Sequence, residues 1–282
     1  MAPTDDDPGV LNPAHLPDLM ALSREAGWNQ CEEDWRLFLS EGAVFGIVDA
    51  GRVVGSAAIM PYGKDLAWIG MVLVLKSHRR RGIATRLLKA CLDEIDRQNR
   101  TAFLDATPEG EPVYRALGFE GDLRITRWQG QASKGGSSPA SRHNSEAMNT
   151  DHLEEALALD LATLGVRRNA LLSSFARRLP EAARVPAKGR GAIFGRDGDL
   201  ACQIGPLFAE DEDVASELLS DVLAALKGRV FIDVIDGRTK VVKALEDQGF
   251  VPQRPFLRMS RGVHKPSNDI SRLFAIAGPE FG

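Results

Sequence analysis

The sequence predicts an α+β protein made of two halves that repeat one order of helices and strands. Three observations point there. The chain has 282 residues, well above the usual size of one domain, so two domains are the default. A stretch rich in Ser, Gly and Ala, QASKGGSSPASRHNSEAM at 131–148, has almost nothing to bury and reads as a linker. Landmarks also recur at one offset: Leu87-Leu88 and Leu218-Leu219 are 131 residues apart, as are Gly118-Phe119 and Gly249-Phe250. Repeats of that length indicate duplicated domains rather than a solenoid. The expected organisation is a first domain at 1–130, the linker at 131–148, a second domain at 149–264 and a tail at 265–282.

In the first half, apolar spacing at Leu16, Leu19, Met20 and Leu22 predicts a helix over His15–Ala26, stopped by Gly27. A second helix is expected from about Cys31 to Leu39, with Asn29 as N-cap and Glu32 three residues on. Val44–Val48 and Val53–Met60 flank Ala50-Gly51 as a hairpin. Ala67–Leu75 is almost wholly apolar, which implies a strand buried on both faces. Ile83–Ile95 has helical periodicity. Ala102–Ala106 reads as a buried strand, with a short helix over Glu111–Leu117 and a strand near Leu123–Trp128 after it. In the second half, helices are expected over about 151–179, a hairpin at Asp197-Gly198 and a helix over Asp213–Leu226. A strand at Val230–Ile235, a helix at Lys240–Asp247 and a strand near Phe256–Met259 follow. The hairpin glycines, Gly51 and Gly198, stand 147 apart, so the second copy is 16 residues shorter ahead of its main helix. In the tail, Leu273–Ile276 is an apolar cluster expected to dock on a domain.

Composition narrows the function. Apolar residues make up 44% and charged residues 26%, the balance of a globular protein, and the net charge is −4. That balance, with no aromatics interleaved among the arginines, argues against a nucleic-acid partner. Three scattered cysteines (Cys31, Cys91, Cys202) exclude a disulfide framework and lack zinc spacing, so no metal is expected and a reducing, cytoplasmic location fits. No apolar run is long enough to span a bilayer, and the acidic start lacks the pattern of a secretory signal, so no membrane partner is expected.

One segment carries chemistry. VLVLKSHRRRGIATRLLKACL joins a buried strand to an amphipathic helix through a short basic turn. The first turn of a helix leaves N–H groups without partners and adds partial positive charge, which makes an anion site. Gly82 lets an anion approach the backbone, Ala84 is too small to block it, and Arg79, Arg80, Arg81 and Arg86 add formal charge. Taken alone, such a turn is also compatible with a solvated basic loop.

The hexapeptide Arg79-Arg80-Arg81-Gly82-Ile83-Ala84 resembles the acyl-CoA motif of the GNAT superfamily of N-acetyltransferases: Arg or Gln, two residues, Gly, one residue, then Gly or Ala. FLDATPEGEPVYRALGFEG resembles the strand, helix and Gly-Phe ending that follow in that family, and AGWNQCEEDW the opening helices of bacterial tandem-GNAT proteins. Lys76 departs from a frequent proline. The resemblance implies two three-layer α/β/α-like folds, each a mostly antiparallel mixed sheet flanked by helices. It implies acetyl-CoA as cosubstrate, bound by Met71, Val72, Leu73 and Val74 along the pantetheine and by Arg79 through Thr85 at the pyrophosphate. It places Tyr114 where the family has the acid that protonates the departing thiolate, with packing over the CoA sulphur or the core as the competing structural reading. Among groups near the amine, Asp105 is a candidate base that an alternating strand could equally turn to structural bonds. Trp28 and Glu33 are candidates for the acceptor pocket, as are Trp35 and the neighbouring acids, with core packing and the helix dipole as competing roles.

At the 131-residue offset, Glu210-Asp211-Glu212-Asp213-Val214-Ala215 falls on the basic hexapeptide and Leu245 on Tyr114. Four carboxylates would repel a pyrophosphate, so the second half is expected to keep the fold without the CoA site. It would complete the acceptor pocket or support a homodimer. Asp160, Arg167 and Arg168 are expected to be surface ion pairs. The activity implied is acetyl transfer from acetyl-CoA to a primary amine in a ternary complex; the alternative is a non-catalytic acyl-CoA sensor.

Overall fold

The computed structural model describes residues 7–132, 144–262 and 269–282. The middle of the expected linker, 133–143, and residues 263–268, where the second domain is expected to pass into the tail, lie outside the described residues. The first half runs β1 (Gly9–Val10), α1 (Leu16–Ala26), α2 (Glu32–Glu41), β2 (Ala43–Asp49), β3 (Arg52–Tyr62), β4 (Leu66–Val74), α3 (Ile83–Arg97), β5 (Thr101–Ala106), α4 (Glu111–Ala116) and β6 (Glu120–Ala132). The second runs β7 (Ser145–Ala147), α5 (Thr150–Leu164), α6 (Asn169–Arg178), β8 (Arg184–Pro186), β9 (Gly191–Arg196), β10 (Cys202–Ala209), α7 (Glu212–Ala225), β11 (Gly228–Ile235), α8 (Thr239–Asp247), β12 (Val251–Arg261) and β13 (Leu273–Ala275).

The expected elements form because their apolar periods match. On β3, Val53, Ala58 and Met60 pack towards α1 and α2, while the alternate Val54, Ala57 and Ile59 pack under Leu87, Leu88 and Cys91 of α3. This double-sided burial makes a three-layer arrangement with a mostly antiparallel sheet between helices. The β2–β3 turn is made by Ala50 and Gly51, both at positive φ (49° and 76°), the geometry a two-residue hairpin needs.

The start of α2 corrects the sequence expectation. Cys31 is the N-cap, and Asp34 rather than Glu32 closes the box by accepting from the Cys31 N–H (3.1 Å). Asn29 instead spans the two halves: its Oδ1 accepts from the Leu200 and Ala201 N–H groups and its Nδ2 donates to the Ala201 carbonyl.

All thirteen strands of the described residues form one sheet, in the order β1-β2-β3-β4-β5-β12-β6-β11-β13-β10-β9-β8-β7. The closing strands are exchanged. β12 of the second half pairs with β5 of the first, from Leu257 opposite Ala106 to Arg261 opposite Ala102. β6 of the first half pairs with β11 of the second, from Gly228 opposite Ala132 to Ile235 opposite Ile125. An ion pair marks each junction: Arg258 with Asp105, and Arg127 with Asp233. Asp160 and Arg168, expected at the surface, are a buried pair instead (2.7 Å), while Arg167 is exposed. Their burial follows from the closing segment, whose Phe281 and Gly282 carbonyls accept from Arg168.

Each half has one parallel pair that parts along its length. β4 and β5 are paired only from Leu66 opposite Thr101 to Trp68 opposite Phe103. β10 and β11 are paired only from Cys202 opposite Val230 to Ile204 opposite Ile232. Past that point β13 enters between them, with Leu207 opposite Ala275 on one side and Val234 opposite Ala275 on the other. The apolar cluster of the tail thus docks as a strand in the second half's own cleft. Gly205 allows this close passage, since a Cβ there would sit 2.0 Å from the Ile276 carbonyl oxygen. No helix of the described residues is long and apolar enough to cross a membrane.

Candidate active site

The first half's cleft stays open, and its rim starts at the basic turn. Gly82 holds a left-handed φ of 74° and is followed directly by α3, which has no side-chain cap. A Cβ on Gly82 would meet nothing within 4 Å, so its need for glycine is conformational. Arg80 also lies at positive φ (63°), and Arg79 Nε donates to the Val74 carbonyl (3.2 Å), tying the turn to the end of β4. The first N–H groups of α3 therefore face an anion position without an internal acceptor.

From this turn a cavity of about 600 Å³ runs between β4 and β5. Its wall includes Met71, Val72, Leu73 and Val74, then Arg79, Arg80, Gly82, Ile83, Ala84 and Thr85, so the expected cofactor residues converge on one space. Arg81 is exposed and does not line it. Register between β3 and β4 slips at the level of Met71, which adopts φ 55°. The Ser56 hydroxyl donates to the Met71 carbonyl (2.9 Å) and holds the bulge. A bulge here turns the next backbone groups away from the ladder.

Tyr114 sits on α4 in the same wall. Its ring lies over Gly110, where a Cβ would come within 2.9 Å of Cε2, and edge-on to Phe119 with centroids 6.0 Å apart. Burial pushes its phenol up to about 12, so it keeps its proton throughout the physiological range.

The acceptor candidates separate. Trp28 lines the cavity, while Trp35 is fully buried in the core and donates from Nε1 to Ser23 Oγ (2.9 Å). Glu33 does not reach the cavity: it is exposed on α2, beside a separate hollow with Arg36 and Arg177. Asp105 borders the cavity, but both its oxygens are taken by Arg258 (2.9 and 3.0 Å). Burial pushes its carboxyl up while Arg258 opposes the shift. Asp105 is thus held in an ion pair across the β5–β12 junction at the edge of the cavity.

The far wall comes from residues with no motif to mark them. Arg127, Arg254, Phe256, Pro279 and Glu280 line it, with Gln30 from the loop before α2. The second half and the closing segment thus complete the first half's cavity. Trp68 Nε1 donates to the Pro279 carbonyl (3.0 Å) and Tyr62 donates to the Phe281 carbonyl (2.8 Å), fixing the segment against β3 and β4. Glu280 is buried and pairs with Arg196, which also donates to Asp34 (2.6 Å).

The second half has lost each of these features. Asp211 caps α7 with its own carboxylate, accepting from the Asp213 and Val214 N–H groups (2.9 and 3.0 Å) where the first half leaves N–H groups open. Leu245 replaces the phenol and is fully buried, and β13 fills the cleft.

Comparison with known proteins bears on the family and the fold. Residues 13–119 match the acetyltransferase (GNAT) family and residues 156–275 match an acetyltransferase (GNAT) domain. The chain is 25% identical over 246 residues to the uncharacterized N-acetyltransferase YitH of Bacillus subtilis (strain 168), covering 85% of this chain and 86% of that one. It is 27% identical over 248 residues to the holothin acyltransferase of Pseudoalteromonas sp. (strain SANK 73390), covering 86% and 82%. Among solved structures, one from Pyrococcus horikoshii superposes with a TM-score of 0.80 at 19% identity, over 98% of this chain and 95% of that one. A tandem GNAT protein from the clavulanic acid biosynthesis pathway superposes with a TM-score of 0.62 at 16% identity, over 92% and 99%. With a GNAT model matched in each half, together spanning most of the chain, the protein belongs to the GNAT acetyltransferase family and carries two such domains.

Proposed function

We propose that the protein transfers an acetyl group from acetyl-CoA to a primary amine, at one site per chain formed by the first half. The observation that carries this reading is the contrast between the two clefts. One opens onto an uncapped helix start with arginines around it; its counterpart is capped by Asp211 and filled by β13. The pyrophosphate would sit at the start of α3, and the pantetheine would lie along Met71–Val74 as an added strand does on a free edge. A backbone N–H beyond the Met71 bulge would hold the thioester oxygen as negative charge develops on it.

In this mechanism both substrates bind together. The neutral amine attacks the thioester carbon, a C–N bond forms, the C–S bond breaks and the nitrogen sheds a proton to solvent. Tyr114 gives its proton to the departing thiolate and regains one from water. In this reading Asp105 is a structural partner of Arg258 and takes no proton. No step calls on a metal ion. The three cysteines are free thiols, which suits a cytoplasmic setting.

The experiment is to titrate the full chain with acetyl-CoA by calorimetry and then follow thiol release across a panel of amines. One binding site per chain with amine-dependent thiol release is expected. Binding without release from any amine would leave a sensor instead, and two equivalent sites would refute the assignment to the first half.

A further inference from the structure

The wall opposite the CoA turn contains polar atoms that the fold leaves without partners. Arg254 Nε, Gln30 Oε1 and Glu280 Oε2 are buried and make no hydrogen bond among the described residues. All three residues line the same cavity. Gln30 and Glu280 are only 4% and 3% exposed. Buried polar atoms are almost always paired, and these three belong to side chains of one cavity wall, where a polar ligand or water could supply the missing partners.

Their chemistry is of two kinds. Gln30 Oε1 and Glu280 Oε2 are acceptors and suit the N–H groups of an amine. Arg254 is a cation. Its guanidinium packs over the Phe256 ring, 5.1 Å from the centroid, and makes no ion pair among the described residues. Three acids act on it without pairing with it: Asp233 is held two-pronged by Arg127, Glu280 is bound through Oε1 by Arg196, and Glu109 is exposed on the wall of the same cavity. Arg127, in register with Arg254 across β6 and β12, is neutralised by Asp233. A half-buried guanidinium that forms no ion pair among the described residues suits a carboxylate, with which it forms paired, charge-assisted hydrogen bonds.

We infer that the acceptor carries a carboxylate as well as its amine, and is therefore an amino acid, with the carboxylate on Arg254 and the amino group towards Gln30 and Glu280. This rests on the acyl-transfer reading of the same cavity and adds the substrate class. An amine without the carboxylate leaves Arg254 unpaired in the complex, which is the arrangement that discriminates most strongly between otherwise similar substrates. Trp28 and Phe256 supply apolar walls for the remainder of the molecule.

The test uses the purified full chain and matched sets of amines: free amino acids, their carboxamides and their decarboxylated counterparts, with release of CoA thiol from acetyl-CoA as readout. For the preferred set, kcat/KM for the amino acid is expected to exceed that of both analogues by about 10- to 100-fold, the usual effect of one charged hydrogen-bonding partner. Arg254→Gln is expected to raise KM for the amino acid by a similar factor, leave the carboxamide unchanged and leave acetyl-CoA affinity unchanged. Gln30→Leu is expected to raise KM for all three alike. Equal or better turnover of the carboxamides and decarboxylated amines would overturn the inference while keeping acyl transfer. A loss of acetyl-CoA affinity in Arg254→Gln would assign the arginine to the cosubstrate instead. Acetyl-CoA binding with no thiol release from any amine would overturn the transfer reading, and this inference with it.

Discussion

Arg258, on the closing strand of the second half, grips Asp105 of the first half with two hydrogen bonds, Nε to Oδ1 at 2.9 Å and Nη2 to Oδ2 at 3.0 Å. The two residues face each other in the β5–β12 ladder, and the guanidinium also lies 4.5 Å from the centre of the Trp68 ring. Arg127 and Asp233 repeat the arrangement on the other side of the exchange. Each pair joins an acid of one half's parallel strand to an arginine of the other half's closing strand. Removing one partner strands a buried charge, so Arg258→Met is expected to cost about 3–5 kcal/mol. The double variant Asp105→Leu with Arg258→Met should recover most of that. Urea unfolding of the three proteins checks this; a double variant as unstable as the single would show that the pair itself is needed.

Tyr114→Phe is expected to lower kcat on the order of 100-fold while sparing acetyl-CoA affinity. Its phenol, pushed up to about 12, stays protonated while the amine substrate titrates. The pH–rate profiles of wild type and variant should therefore share one shape below about pH 10, the ordinary phenol value. A limb that disappears in Tyr114→Phe would contradict this. The sign for stability follows from the same shift: the unfolded phenol ionises near 10 and the folded one near 12, so its contribution is present below pH 10 and is lost as pH rises towards 12.

Gly82→Glu is expected to abolish acetyl-CoA binding by placing a carboxylate at the open start of α3. Gly82→Ala finds open space but the wrong φ, a strain of about 1 kcal/mol, and should weaken binding about fivefold. Asp211→Ala, at the equivalent helix start, should instead cost about 1 kcal/mol of stability and leave acetyl-CoA affinity unchanged. Calorimetric titration and thermal unfolding of the three variants separate these outcomes. Weaker acetyl-CoA binding in Asp211→Ala would mean that the second half takes part.

Gly205→Ala would drive a methyl group into the Ile276 carbonyl at a backbone φ of 132° that side chains rarely adopt. The expected result is a loss of about 2–3 kcal/mol and release of 269–282 from the sheet, read as new protease cleavage there. Because Pro279 and Glu280 wall the cavity, amine turnover should fall with it while acetyl-CoA affinity changes little. Intact turnover in a chain cleaved ahead of Leu273 would show that the cavity works without this wall.

The sequence by itself determined the main helices and strands, the pairing of two like halves and the basic turn of the first. Periods of 2 and 3.6 mark β3, β4 and α3, and the contrast of Arg79–Ala84 with Glu210–Ala215 is written in charge, so both are local properties. The structure alone decided how the halves join. Nothing near Leu123–Trp128 or Phe256–Met259 records that β6 and β12 change places, because ladder partners are chosen by packing between strands more than a hundred residues apart. The same reason hid the second half's contribution to the cavity. Arg254 and Glu280 stand in stretches without any motif, and they become part of the cavity only because β12 and the closing segment cross to the first half. It also decided between readings that the sequence left open: Asp105 faces Arg258, Glu33 faces solvent, and Trp28 faces the cavity while Trp35 fills the core. Side-chain type fixes what a residue can do, and tertiary contact fixes which of its possible partners it meets.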